Sequence, residues 1–169
     1  MTDASLTWQL EVLAEVALSI LLGGCIGFER EMADKPAGLR THMMMAAAAT
    51  LLVALSDVLL EHFGRDAGSG LVTADPMRIV GAVVTSASIL AAGTIFRKPD
   101  ENAVEGLTTA AGLLLTSVIG IAVALRQFVL AVAVVAMVVV ILRGVGWLQE
   151  RASQRRKRLA AEAEVSRES

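Results

Sequence analysis

Between two strongly apolar stretches the chain runs EREMADKPAGLRTHMMM, residues 29 to 45. Glu29, Glu31 and Asp34 are set among Arg30, Lys35, Arg40 and His42, and Thr41 adds a hydroxyl. Carboxylates and cations at this density can form an ion-pair cluster, or simply anchor a loop in water. A loop that only fixes membrane topology needs basic residues alone. The matched carboxylates therefore favour a cluster folded against the protein, beside the plainer reading of a solvated hairpin.

Two further places bring polar types together. Asp75 and Arg78 are three apart, on one helical face, and read either as a cap with a surface salt bridge or as polar groups at the mouth of a bundle. The stretch GTIFRKPDENAVEGLTTAAG, residues 93 to 112, sets Thr108 and Thr109 at the expected depth of Glu29 to His42. Threonines in membrane helices usually bond to their own backbone or a neighbouring helix. Contact with a ligand shared with the first cluster is the alternative.

Several chemistries are excluded at this level. One cysteine, Cys25, rules out an intrachain disulfide and any multi-cysteine metal site, and packing among small residues is its expected role. His42 and His62 fall on opposite sides of the expected membrane, so neither a two-histidine metal site nor a nucleophilic triad can be assembled. Phosphate loops and dinucleotide fingerprints are absent. The basic tail is too short to argue for nucleic acid and more simply meets anionic lipid. The expectation is no enzyme, no cofactor and no metal centre.

The elements that must position these residues are membrane helices. The chain of 169 residues is 55% apolar, and its charges are bunched. Gly106 to Leu125, Ile79 to Phe96 and Gln127 to Leu142 are charge-free runs of 20, 18 and 16 residues. A span takes roughly 20 apolar residues, and Arg126, Arg143 and Trp147 can complete the third run at its interfaces. Two upstream spans, about Gln9 to Phe28 and Thr41 to Leu60, carry carboxylates only near their ends. LGGC at Leu22–Cys25 loosely imitates a lipoprotein cleavage site, but no basic segment precedes it, so a retained first span is expected. Twelve of the fifteen basic residues fall in the segments assigned to the inside, five of them within Arg151 to Arg158. The positive-inside rule then sets the N-terminus outside and the C-terminus in the cytoplasm.

The expected fold is all-α: a polytopic membrane protein, a compact bundle of about five transmembrane helices over residues 1–149, with a charged cytoplasmic tail over 150–169. The segment GRDAGSG makes a flexible outer loop, and Asp75-Pro76 opens the third helix as N-cap and first-turn proline. Gly23 and Gly27 in helix one, Gly81 with Thr85, Ser88 and Ala92 in helix three, and Thr108, Gly112, Thr116 and Gly120 in helix four form small-residue faces. Helices one, three and four are accordingly expected to form the tight centre, with the β-branched fifth helix facing lipid. Unmatched small faces make a homodimer or other homo-oligomer an expected state.

Taken in order, GGCIGFERE, KPAGLRTHMM, DPMRI, AAGTIFR and EGLTTAAGLLLTSVIGIA resemble the signature of the MgtC/SapB family of bacterial inner-membrane proteins, over roughly residues 20 to 125. The resemblance implies a compact membrane domain with an external N-terminus. It carries over as polar positions Glu29, Arg30, Glu31, Gly38, Leu39, Arg40, Thr41, His42, Asp75, Arg78, Gly93, Gly106, Leu107, Thr108 and Thr109. Ser86, Ser88 and Ala91 stand where that family usually has glycine, and Leu115 lies near the place of a common aromatic residue. Only a short tail stands where some members carry a soluble domain. Family members are linked to magnesium limitation, acid resistance and intracellular survival, and some are thought to restrain the ATP synthase. The expected function is thus a regulatory or stress-adaptation membrane protein acting by helix contacts. The alternative is a small ion transporter or channel with its outer mouth at Asp75 and Arg78 and its path along helices three and four.

Overall fold

The architecture is taken from a computed structural model, which describes residues 2–66, 75–97, 104–146 and 151. The glycine-containing outer loop over 67–74, Lys98, Trp147 and nearly all of the charged tail lie outside the described residues. Five helices follow one another: α1 (Thr2–Met32), α2 (Leu39–Asp66), α3 (Pro76–Ala92), α4 (Leu107–Ala124) and α5 (Phe128–Gly146). A two-residue antiparallel ladder, β1 (Phe96–Arg97) with β2 (Val104–Glu105), joins α3 to α4, with Phe96 opposite Glu105. All five expected helices are present, and α1, α2, α4 and α5 each contain a stretch long and apolar enough to cross a membrane.

The third helix ends earlier than its apolar run suggests. It stops at Ala92, after 17 residues, because the chain turns at Gly93-Thr94 and enters β1. At about 1.5 Å per residue that is somewhat short of a bilayer core of roughly 30 Å. It nevertheless runs the length of the bundle. Near its start Val80 and Val83 pack with Val53, Ile121 and Ala124, and near its end Ala91 packs with Ala37 and Leu113. Its opening follows the sequence: Asp75 is the N-cap and accepts from the Met77 N–H at 3.0 Å, with Pro76 in the first turn.

Helix α2, rather than α3, holds the centre with α1 and α4. The cause is glycine. A Cβ on Gly23 would lie 2.7 Å from the His42 carbonyl oxygen, one on Gly27 2.8 Å from the Leu39 Cα, and one on Gly120 2.5 Å from the Ala46 carbonyl oxygen. Only a residue without a side chain lets these backbones meet. The Thr50 hydroxyl then reaches across, 2.9 Å from the Gly120 carbonyl oxygen. Gly81 does not take the packing role expected of it, since a Cβ there would meet nothing within 4 Å. A Cβ on Gly93 would meet only the Leu90 carbonyl oxygen of the preceding turn, at 3.3 Å. Thr85, Ser86 and Ser88 are exposed and bond back to the carbonyls of Gly81, Ala82 and Val84. The small face of α3 therefore looks away from this chain. Helix α5 packs one stripe, Ala131 and Val135, on Leu22, Ile26, Ile119 and Val123, and leaves most of its surface open, in keeping with a peripheral helix.

Candidate functional site

The charged stretch folds into a tight αα-hairpin. Helix α1 ends in a left-handed residue, Asp34 (φ 53°), with the Lys35 N–H donating to the Arg30 carbonyl at 3.0 Å and the Asp34 N–H to the Glu31 carbonyl at 3.1 Å. This pair of bonds is the Schellman closure, and aspartate is among the few residues that accept its backbone. Across the turn, the Glu31 carboxylate accepts the Leu39 N–H at 2.8 Å, capping α2. Gly38 leaves room for it, since a Cβ there would fall 2.7 Å from Glu31 Oε2.

Neighbouring positions on α1 turn inward. Arg30 Nε donates to Glu29 Oε2 at 2.6 Å, and both side chains are more than nine-tenths buried. His42 is fully buried. Its Nδ1 lies 3.0 Å from the Gly38 carbonyl oxygen, which can only accept, so Nδ1 carries the proton and Nε2 of the neutral ring is a lone pair. That Nε2 has no hydrogen-bond partner among the described residues, and it faces Gly112, whose Cβ would stand 3.6 Å away.

Beside the hairpin opens a cleft of about 820 Å³, with Glu29, Arg30, Lys35, Thr108 and Thr109 among its polar lining and Ile141, Leu142 and Val145 of α5 along one side. Gly106 shapes its edge. At φ 91° it holds a left-handed conformation that favours glycine, and any Cβ there would overlap the Thr94 carbonyl. The structure thus brings the two sequence clusters together: Glu29 and Arg30 share a cleft with Thr108 and Thr109. Arg40 does not join them. It is exposed on the first turn of α2, and Thr41 is half-buried. Asp75 and Arg78 lie at the opposite end of the bundle. The Asp75 carboxylate caps α3, and no ion pair between the two forms among the described residues.

Sequence reasoning missed a second cluster at that opposite end. Arg126, expected only to snorkel, hydrogen-bonds Glu11 and pairs through Nε with Glu15 Oε1 at 3.1 Å. Its backbone is again left-handed (φ 58°), closing α4 by the same bond pattern that closes α1. The hydrogen bond to Glu11, reinforced by the charges of Glu11 and Glu15, moves the guanidinium pKa further up, so Arg126 stays protonated. The signal was available: two acids one turn apart in α1 and a lone arginine at matching depth after α4. Glu11, Glu15, Ala14, Leu18, Arg126 and Phe128 line a smaller cleft of about 260 Å³. Among the described residues no cluster of three or more His, Cys, Asp or Glu gathers as a metal site.

Long apolar helices, backbone-close glycine crossings and charged groups gathered, among the described residues, towards the two ends define a multi-pass helical protein of the inner-membrane type. The chain belongs to the MgtC family, whose model matches residues 16–151. Similar proteins include an uncharacterised protein of Haemophilus influenzae, 33% identical over 88% of this chain and 63% of its own length. YhiD of Escherichia coli (strain K12), provisionally named a magnesium transporter, is 35% identical over 72% of this chain and 54% of its own. SapB of Bacillus subtilis is 31% identical over 63% of this chain and 45% of its own. The chain spans less than two thirds of the length of each of these relatives. No solved structure matches.

Proposed function

We propose that this chain is a non-enzymatic regulatory or stress-adaptation protein of the bacterial inner membrane, acting under magnesium limitation or acid stress through contacts with other membrane proteins. The hairpin and its cleft face the cytoplasm in this reading, as the distribution of basic residues requires. The partner is a second copy of the chain or another membrane complex such as the ATP synthase. One observation carries the reading. The two clefts share no lining residue, and the α1–α2–α4 interface between them is closed by backbone contacts at Gly23, Gly27 and Gly120. A built end with a sealed centre suits recognition better than conduction.

Transport is the second reading, favoured by the provisional name of the Escherichia coli relative. Proteoliposomes loaded with a magnesium-sensitive dye separate the two. The regulatory reading expects no flux above protein-free vesicles, and crosslinked assemblies whose yield falls several-fold in Arg40→Ala, a change at an exposed position. Magnesium flux that changes in Asp75→Asn establishes transport instead. Crosslinking and pull-down yields that stay at wild-type level in Arg40→Ala remove the basis of the contact reading.

A further inference from the structure

We propose that the cleft beside the α1–α2 hairpin binds a phosphate group, presented by an anionic phospholipid whose chains lie along α5. Hydroxyl bookkeeping gives the first argument. The buried hydroxyls of Ser19, Thr50, Ser56, Thr116 and Ser117 all donate to backbone carbonyls, of Val16, Ala46 or Gly120, Val53, Gly112 and Leu114 respectively. Thr109 does not. It is 1% exposed, lines the cleft and has no hydrogen-bond partner among the described residues. It sits in the first turn of α4, three residues after the Gly106 carbonyl that accepts the Ala110 N–H, and makes no back-bond of the kind Ser19, Ser56 and Ser117 make. A hydroxyl of a buried residue on the cleft wall is thereby left for a ligand.

The backbone beside it is in the same condition. Helix α4 starts from Gly106 with no side-chain cap, and its first intrahelical bond runs from the Ala110 N–H to the Gly106 carbonyl at 2.8 Å. The N–H groups of Leu107, Thr108 and Thr109 therefore point out of the helix start without partners among the described residues, the arrangement that receives phosphate oxygens. The cleft lining sets Arg30 and Lys35 against Glu29, Asp34 and Glu105, so directed donors rather than net charge must hold the anion. Arg30 commits Nε to Glu29 and keeps the rest of its fork, and Lys35 has no ion-pair partner among the described residues, so each has N–H groups to offer a phosphate oxygen.

The apolar side of the cleft selects the source. Ile141, Leu142 and Val145 continue the lipid-facing surface of α5 into the cleft. A soluble phosphate has no use for such a wall, whereas an amphiphile lays its chains along it. This inference does not depend on whether the chain regulates or transports.

The test titrates short-chain phosphatidylglycerol, diacylglycerol of the same chain length, which lacks the phosphate, and inorganic phosphate onto the full chain in detergent, read by native mass spectrometry. Phosphatidylglycerol is expected to bind at about tenfold lower concentration than diacylglycerol. Thr109→Val and Lys35→Gln should each erase about that tenfold, the scale of one charge-assisted hydrogen bond, with diacylglycerol binding unchanged. Lys35 is exposed, so its variant keeps the test valid should Thr109→Val fold poorly. Binding of inorganic phosphate but not lipid, lost in both variants, keeps the phosphate site and assigns it to a soluble source. Equal binding of the two lipids without phosphate binding, or a preference untouched by both variants, overturns the proposal.

Discussion

At the scale of single residues the hairpin depends on side chains that each have one job. Glu29 neutralises Arg30 in a buried pair. Removing one partner of such a pair strands the other charge, which costs about 3–5 kcal/mol. Glu29→Ala should accordingly lower stability by that amount in a denaturant titration of the detergent-solubilised protein. Glu31→Ala should cost only about 0.5–2 kcal/mol, the loss of a helix cap, because that carboxylate is exposed. A gap of less than 1 kcal/mol between the two would show that the Glu29–Arg30 pair is not buried as described. Asp34, left-handed at φ 53°, gives the opposite sign. Asp34→Gly relieves that backbone and should raise stability by up to about 1 kcal/mol in the same titration.

At the scale of elements, glycines with similar spacing divide into those that set a crossing and those that do not. Gly120→Ala would drive a methyl to 2.5 Å from the Ala46 carbonyl oxygen, so α2 and α4 must separate, at about 1–3 kcal/mol. Gly81→Ala meets open space and should gain about 0.5–1 kcal/mol, since a helical glycine costs that much relative to alanine. Unfolding by titration with a denaturing detergent reads both, and equal effects would contradict the placement of α2 at the centre. The sequence could not make this division. Spacings of four and three show that Gly81, Thr85 and Ser88 share a face, as spacings of four show for Gly112, Thr116 and Gly120, but not which face has a neighbour. In lipid both the packed and the free faces are apolar, so the polar side that marks the outside of a soluble helix is missing.

At the scale of the whole molecule, the orientation of the bundle is open to direct measurement. With Cys25 replaced by serine, a cysteine at Gln127 should react with a membrane-impermeant maleimide added to intact cells, and one at Lys35 only after permeabilisation. Both positions are exposed at opposite ends of the bundle, so the reverse pattern would invert the topology.

The sequence by itself determined the number of helices, their approximate extents, the hairpin over Glu29 to His42, the Asp75 cap and the family, because these follow from hydropathy, turn chemistry and contiguous motif. It also set Thr108 and Thr109 at the depth of Glu29 and Arg30, since helix length counts out depth. Rotation and adjacency were decided only by the tertiary structure. Packing turned Arg30 and His42 inward while Arg40, a turn from the hairpin, stayed outside. The same packing brought Glu11 and Glu15 to Arg126, more than a hundred residues away in the chain, because α1 and α4 lie side by side. A helix fixes how deep its residues sit, but which way they face is settled by whichever neighbour its glycines allow to approach.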